Sequence, residues 1–201
     1  MDELCAQWGP LPVVPVRLEV ASPFLTGENQ RLVGDGRRAE ICYVMYRGAA
    51  VTDLLLHIKR YYPTGAFRLP TGGIQAGEPV MATLAREIEE ETGLVVGARA
   101  DQVRVERCLG VIDYELVHAE PAQSARFATY IFLVHMPDGA VLVPQDADEE
   151  ITGWVWRRPD ELAAAAEYLA RIGEQHAVWG DWGRFRAVSH RHVAAHLCAR
   201  S

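Results

Sequence analysis

A chain of 201 residues is slightly longer than the usual single domain, so one compact domain carrying added segments is expected ahead of two independent ones. Apolar residues make up 49% and charged residues 23%, ordinary globular proportions that exclude a disordered, collagenous or coiled-coil chain. The formal net charge is −7, and Lys59 is the only lysine among 20 basic residues. No general basic field is therefore available to gather nucleic acid, and an anionic ligand would need local cations.

Four cysteines (Cys5, Cys42, Cys108 and Cys198) are scattered without a CxxC pair, and the N-terminal MDELCAQWGP lacks the basic-then-apolar layout of a signal peptide. A reducing cytoplasm is the expected compartment. No apolar stretch approaches the roughly 20 residues that span a bilayer, so membrane insertion is not expected.

The first 38 residues are rich in Pro and Gly, which predicts an extended arm with turns rather than helix, with a strand within Val13 to Val20. Glu40 to Arg47 and Asp53 to Arg60 are rich in apolar and β-forming residues, and Gly48-Ala49-Ala50 can turn the chain between them. A short strand is predicted at Phe67 to Leu69, running into Pro70-Thr71-Gly72-Gly73. Glu78 to Glu91 has no glycine, Pro79 suits a first helical turn, and Gly93 suits a left-handed stop, so a helix is predicted there. Strands follow at Val103 to Val111, Ala128 to His135 and Ile151 to Trp156, then helices at Pro159 to about Ile172 and Arg184 to Leu197. No internal repeat or low-complexity linker divides the chain. The expected organisation is an arm over 1–38, a core over 39–172, and a helical extension over 173–201 packed on that core.

Within the first of these long helices Glu87, Glu90 and Glu91 stand at i, i+3 and i+4, so like charges share one side at a cost to the helix. A hard divalent cation would compensate. Mg2+ prefers oxygen ligands and binds through a few carboxylates together with substrate phosphates. Arg86 can hold a neighbouring carboxylate in a two-pronged pair. Gly72, Gly73 and Gly77 let backbone approach a ligand, and a metal-contacting carbonyl at Gly72 is geometrically accessible. Met81, Leu84, Ala85 and Ile88 fall on the neighbouring face and are expected to anchor the helix to a sheet.

Gly72, Glu78, Arg86, Glu87, Ile88, Glu90, Glu91, Gly93 and Leu94 fill every specified position of GX5EX7REUXEEXGU, and through them the chain resembles the Nudix hydrolases. The resemblance implies an α/β (α+β) fold, an α/β/α sandwich with a mixed β-sheet between helices. It also implies hydrolysis of a nucleoside diphosphate linked to another moiety X, by attack of metal-activated water on phosphorus. Carried over by motif position, Glu87, Glu90, Glu91 and Gly72 are metal contacts, Arg86 orients a glutamate, and Glu78 supports the loop before the helix. Mg2+ is the implied cofactor, with Mn2+ as a substitute, and two or three such cations would neutralise the diphosphate and lower the pKa of a bound water. Relatives commonly read Pro-Gly-Gly where this chain has Pro70-Thr71-Gly72, so altered hydrogen bonding is expected at Thr71.

A general base is still required, and the acidic run Asp148-Glu149-Glu150 lies where family members often place it, making Glu150 or Glu149 the candidates ahead of Glu87. Arg68 and, further on, Tyr114 or Glu115 are candidate substrate contacts, with Lys59, Arg60 and Arg126 flanking. Trp154, Trp156, Trp179, Trp182 and Phe185 read as packing or dimer contacts before base-stacking ones. His192 and His196 have metal-clasping spacing, but an ordinary helix face is the better reading of them. Positions downstream of the box where ADP-ribose and dinucleoside polyphosphate hydrolases carry proline and tyrosine hold Gly110 and Val111, so X is not identified. Two rival functions share the resemblance, a nucleotide-sensing regulator and an isopentenyl diphosphate isomerase-like enzyme, the latter needing a reactive cysteine. A homodimer is expected from family habit and the aromatic tail.

Overall fold

Strand β2 (Ala39–Arg47) is buried over nearly its whole length, with Ile41, Tyr43 and Met45 on one side and Cys42, Val44 and Tyr46 on the other. A strand that is apolar on both faces needs a helical layer on each. The computed structural model, which describes residues 2–27 and 32–198, supplies both layers. The other strands are β1 (Val13–Glu19), β3 (Asp53–Lys59), β4 (Thr71–Gly73), β5 (Arg104–Val117), β6 (Ala125–His135) and β7 (Ile151–Arg157). They form one seven-stranded sheet in the order β1-β5-β6-β2-β3-β7, with β4 paired to β2. Pairing is parallel at β1/β5 and β6/β2 and antiparallel elsewhere.

On one face lie α1 (Asp2–Trp8) and α3 (Val80–Thr92), burying Leu4, Leu84 and Ile88 against Tyr43, Met45 and Phe132. The other face carries α2 (Ser22–Thr26), α4 (Leu162–Arg171) and α5 (Gly180–Cys198), whose Phe24, Leu169 and Phe185 share a core with Tyr114 and Phe127. The expected α/β/α sandwich with a mixed sheet is present. No helix among the described residues is long and apolar enough to cross a membrane.

Three expectations change. The N-terminal segment is not wholly extended: DELCAQW contains neither Pro nor Gly, forms α1, and sets Trp8 against Phe132 at 5.9 Å between ring centroids. Only from Pro10 onward does proline impose an extended path into β1. Phe67 to Leu69 is not a strand of its own. Arg68 makes a single bridge to His57, and the ladder resumes at β4, because Pro70 has no N–H to continue it. Finally, α5 begins at Gly180, ahead of the predicted Arg184.

Candidate active site

The functional region is set by a division of one strand edge. β3 pairs with the C-terminal end of β2, while β4 pairs with its N-terminal end. Between them the segment from Arg68 to Pro70 crosses over, exchanging backbone hydrogen bonds with His57 at 2.9 Å and accepting Tyr43 N–H on Pro70 O at 3.1 Å. The buried Arg68 guanidinium holds this crossing, donating to Tyr62 Oη at 2.7 Å, Leu69 O at 2.8 Å and Thr71 Oγ1 at 2.9 Å. Thr71, the one departure beside the box, is thus an acceptor for Arg68. His190 of α5 adds a second anchor: Nε2 accepts Leu69 N–H at 3.1 Å, and Nδ1–H donates to Arg186 O at 2.9 Å. Burial pushes its pKa down to about 4, so the imidazole is neutral and the two bonds select one tautomer.

β4 delivers Gly72 directly beneath α3. A Cβ at this position would overlap the Glu87 carboxyl group, so glycine is what allows Glu87 to fold over the loop. Helix α3 starts after Pro79, which has extended backbone, and stops at Gly93 with φ 74°. Leu84 and Ile88 anchor it as expected, and the same turns bring Glu87 and Glu91 to the sheet side.

Arg86 organises the carboxylates. Its Nε and Nη2 grip Glu78 at 2.8 and 3.0 Å, Nη1 donates to Glu87 and Glu90 at 2.8 Å each, and Nη2 also reaches Gly73 O at 3.2 Å. Glu78 in turn accepts Gln75 N–H at 3.2 Å, and its hydrogen bonds to Arg86 hold its pKa down to about 2. Burial, reinforced by the Glu91 charge, pushes Glu87 up to about 7.

Glu91 is fully buried. Tyr43 Oη donates to it at 2.5 Å, Lys59 Nζ lies 3.4 Å from Oε1, and His57 Nδ1 lies 3.7 Å away. Burial raises its pKa to about 7 against the opposing pull of Lys59 and Arg68. Lys59 also donates to Glu149. Burial alone would lower the Lys59 pKa, but chiefly Glu91, with Tyr62 and Glu149, holds it above its ordinary value. Burial and the Arg68 and Lys59 charges depress His57 well below its ordinary range.

Glu149 arrives from a loop docked on the end of α3. Glu90 O accepts Gln145 N–H at 2.8 Å, and Thr92 O accepts Val143 N–H at 2.9 Å. These are carbonyls left without helical partners at a C-terminus. Asp146 Oδ1 then accepts Asp148 N–H at 2.8 Å and starts the 3-10 turn Ala147–Glu149. Glu87, Glu90 and Glu149 each place one carboxylate oxygen within 4.8 Å of the other two, the only such grouping of His, Cys, Asp and Glu among the described residues.

Beside these oxygens opens a pocket of 390 Å³. Arg37, Lys59, Arg68 and Arg186 supply positive charge, while Tyr61, Tyr62, Trp179 and Trp182 form an aromatic wall. Trp179 lies nearly parallel to Tyr61, 25° between planes. Arg186 pairs with the buried Glu40 at 2.6 Å, which also accepts from Thr129 at 3.0 Å.

Of the sequence candidates, Arg86, Glu87, Glu90, Glu149, Gly72 and Arg68 come together, whereas Glu91 joins through Lys59 rather than through the converging oxygens. Glu150 points away, 3.8 Å from exposed Arg60, and is the single non-glycine described residue with positive φ, at 50°. Tyr114 is corrected: it is a core residue, its ring 4.5 Å from that of Phe185. Glu115 pairs with Arg17 and Arg126 with Asp113 at the surface. His192 and His196 lie 6.2 Å apart between ring centroids with their planes tilted by 34°, and they belong to no metal-sized group of three or more His, Cys, Asp or Glu among the described residues. Cys42 is buried and its thiol pushed up to about 12 by burial, and burial likewise raises Cys108. Neither suits a reactive cysteine. The sequence reading missed Arg37, Glu40 and Arg186. Alternation along β2 would have placed Glu40 on the Cys42 face, but nothing local pairs it with a residue of α5.

The NUDIX domain family model matches residues 36–182, a span that includes Trp179 and Trp182. Nudix hydrolase 25 of Arabidopsis thaliana is 27% identical over 127 residues, covering 57% of this chain and 70% of that protein. Among solved structures, the E. coli dihydroneopterin triphosphate pyrophosphohydrolase aligns with TM-score 0.48 at 20% identity, over 71% of this chain and 93% of that one. A C. elegans Ap4A hydrolase aligns with TM-score 0.45 at 21% identity, over 73% and 98%. With its complete box set on a sandwich of this architecture and the family match spanning most of its length, the chain belongs to the Nudix family and is a Nudix pyrophosphohydrolase.

Proposed function

We propose that the protein cleaves a diphosphate linkage in a nucleoside diphosphate joined to another moiety, using Mg2+ held by Glu87, Glu90 and Glu149. The observation that carries this reading is the convergence of those three carboxylates within 4.8 Å beside a pocket lined by four cationic side chains. Grouped and part-buried carboxylates repel one another, and a hard divalent cation relieves that cost while taking the oxygen ligands it prefers. The donor set therefore fits Mg2+, with Mn2+ as substitute, and the missing Cβ at Gly72 keeps Glu87 in the group.

A bound divalent cation supplies Lewis acidity and charge neutralisation at the phosphates. The remaining work falls to the chain. Arg86 fixes Glu87 and Glu90 through one guanidinium, so the carboxylates are oriented before substrate arrives. Glu149, partly exposed at the pocket and paired with Lys59, serves this reading as a metal ligand, whereas Glu150 faces Arg60 at 3.8 Å instead. Arg37 and Arg186 offer donors to phosphate oxygens. Arg68 acts by holding the crossing segment, its guanidinium being engaged by Tyr62, Leu69 and Thr71. Tyr61 and Trp179 present ring faces suited to a planar base.

A reducing cytoplasm is the proposed compartment, supported by four unpaired cysteines. Dimerisation is a proposal for sedimentation to decide. Much of the aromatic tail that suggested it is occupied in the pocket wall.

The test is a phosphate-release screen over nucleoside triphosphates, nucleotide sugars, ADP-ribose and dinucleoside polyphosphates, with and without Mg2+. Metal-dependent turnover lost in Glu90→Gln supports the reading. Turnover indifferent to chelation, or to that substitution, overturns it.

A further inference from the structure

We propose that Lys59 is a built-in cation occupying the place of a second divalent ion, so that the carboxylate site of this chain takes one ion rather than a pair. The inference rests on the reading of Glu87, Glu90 and Glu149 as metal ligands and specifies how many ions they serve.

Paired divalent sites set two cations about 3.5–4 Å apart, sharing ligands between them. Here Glu149 has that shared position. One of its oxygens belongs to the converging group with Glu87 and Glu90, and it also accepts from Lys59 Nζ. The far side of the ammonium faces Glu91 Oε1 at 3.4 Å. That oxygen is fully buried and has no hydrogen bond, while Tyr43 Oη donates to the other oxygen of the same carboxylate. A carboxylate buried this fully is ionised only beside a cation, and the ammonium lies between Glu91 and Glu149, in contact with both.

The residue type fits the role. Lys59 is the sole lysine of the chain, with arginine at every other basic position. An ammonium is a compact point charge, closer to an ion than the broad planar guanidinium. It is also aimed. Leu55, His57 and Lys59 alternate onto the face that meets α3, and the β3/β7 register shifts between Ile58 and Lys59, an irregularity of the kind that redirects a strand-end side chain. Lys59 carries charge but, unlike a metal, has no open coordination position. It would neutralise carboxylates and phosphate while leaving water activation to the single ion.

The sole lysine makes the test direct. Protein labelled with 13C at lysine gives one ε-methylene resonance, and Mn2+ binding without substrate gives the stoichiometry. Wild type is expected to bind one Mn2+ per chain, Lys59→Met two, and saturating Mg2+ should leave the wild-type lysine resonance in its buried position. Two ions in wild type, one in Lys59→Met, or a resonance that moves to that of a solvated lysine on adding Mg2+, each overturns the proposal. If Lys59→Met does not fold, wild-type stoichiometry and resonance decide. Absence of any Mn2+ binding to wild type would instead remove the metal reading beneath it.

Discussion

Glu90 and Gln145 are joined through the main chain: Glu90 O accepts Gln145 N–H at 2.8 Å. The bond uses a carbonyl that α3 leaves unsatisfied at its C-terminal end and docks on it the loop that ends in Glu149. The helix carrying two of the converging carboxylates therefore positions the third by its backbone.

That docking separates two adjacent glutamates. Glu149→Gln is expected to lower Mn2+ affinity and activity by roughly 10- to 100-fold, the range for disturbing a metal's ligand set. Glu150→Gly should stay within a few-fold of wild type and relieve about 1 kcal/mol of left-handed strain, since the φ of 50° is natural to glycine. Steady-state kinetics of both variants, with circular dichroism to confirm folding, checks this. Equal losses would show that the charge of the loop matters and its geometry does not.

Arg86 should not be replaceable by lysine. It contacts Glu78, Glu87, Glu90 and Gly73 O together, and an ammonium cannot reproduce that fork. Mn2+ affinity of Arg86→Lys is expected to fall about 10- to 100-fold. Arg86→Ala should lose about 2 kcal/mol of stability, less than a fully buried pair because the side chain is 27% exposed. Mn2+ titration and chemical denaturation measure the two effects separately.

Gly72→Ala adds a single methyl group where the Glu87 carboxyl lies. Either Glu87 leaves the converging group or β4 shifts, at about 1–3 kcal/mol for an overpacked site. The expected outcome is a lower unfolding temperature with Mn2+ affinity reduced at least as far as in Arg86→Lys. Unchanged affinity would show that Glu87 is not needed as a ligand.

The buried His190 predicts a pH dependence of stability. Its pKa is depressed in the folded protein, from an ordinary 6.5 to about 4, because folding buries the ring and sets it near the Arg68 and Arg186 charges. The unfolded chain binds this proton more tightly, so the contribution is fully present above pH 6.5 and disappears as pH falls through 4. It amounts to about 3 kcal/mol at most. Unfolding temperatures between those limits should fall more steeply for wild type than for His190→Gln, which can still accept from Leu69 but does not titrate. Parallel slopes would assign the acid sensitivity elsewhere.

The carboxylate helix, its glycine stop, the alternating strands and the layered fold were legible because each is a local pattern: helical and strand periods act within a few residues. The N-terminal helix was obscured by prolines that follow it, and α5 by glycines at its start. Tyr114 looked available in sequence because its segment is polar at Asp113 and Glu115. Pairing of β5 with β1 and β6 on its two edges, and of its face with Phe185, puts the ring in the core.

By itself the sequence determined the family, the fold class and the grouping of Glu87, Glu90 and Glu91 on one helical side, since a helix of known pitch sets those relations without tertiary partners. Only the tertiary structure decided that Glu149 rather than Glu150 meets Glu87 and Glu90, that Glu91 faces Lys59, and that α5 closes the pocket through His190 and Arg186. Those relations join residues 32 to 146 positions apart. They depend on strand pairing and helix docking, which bring distant side chains together for reasons no single segment contains.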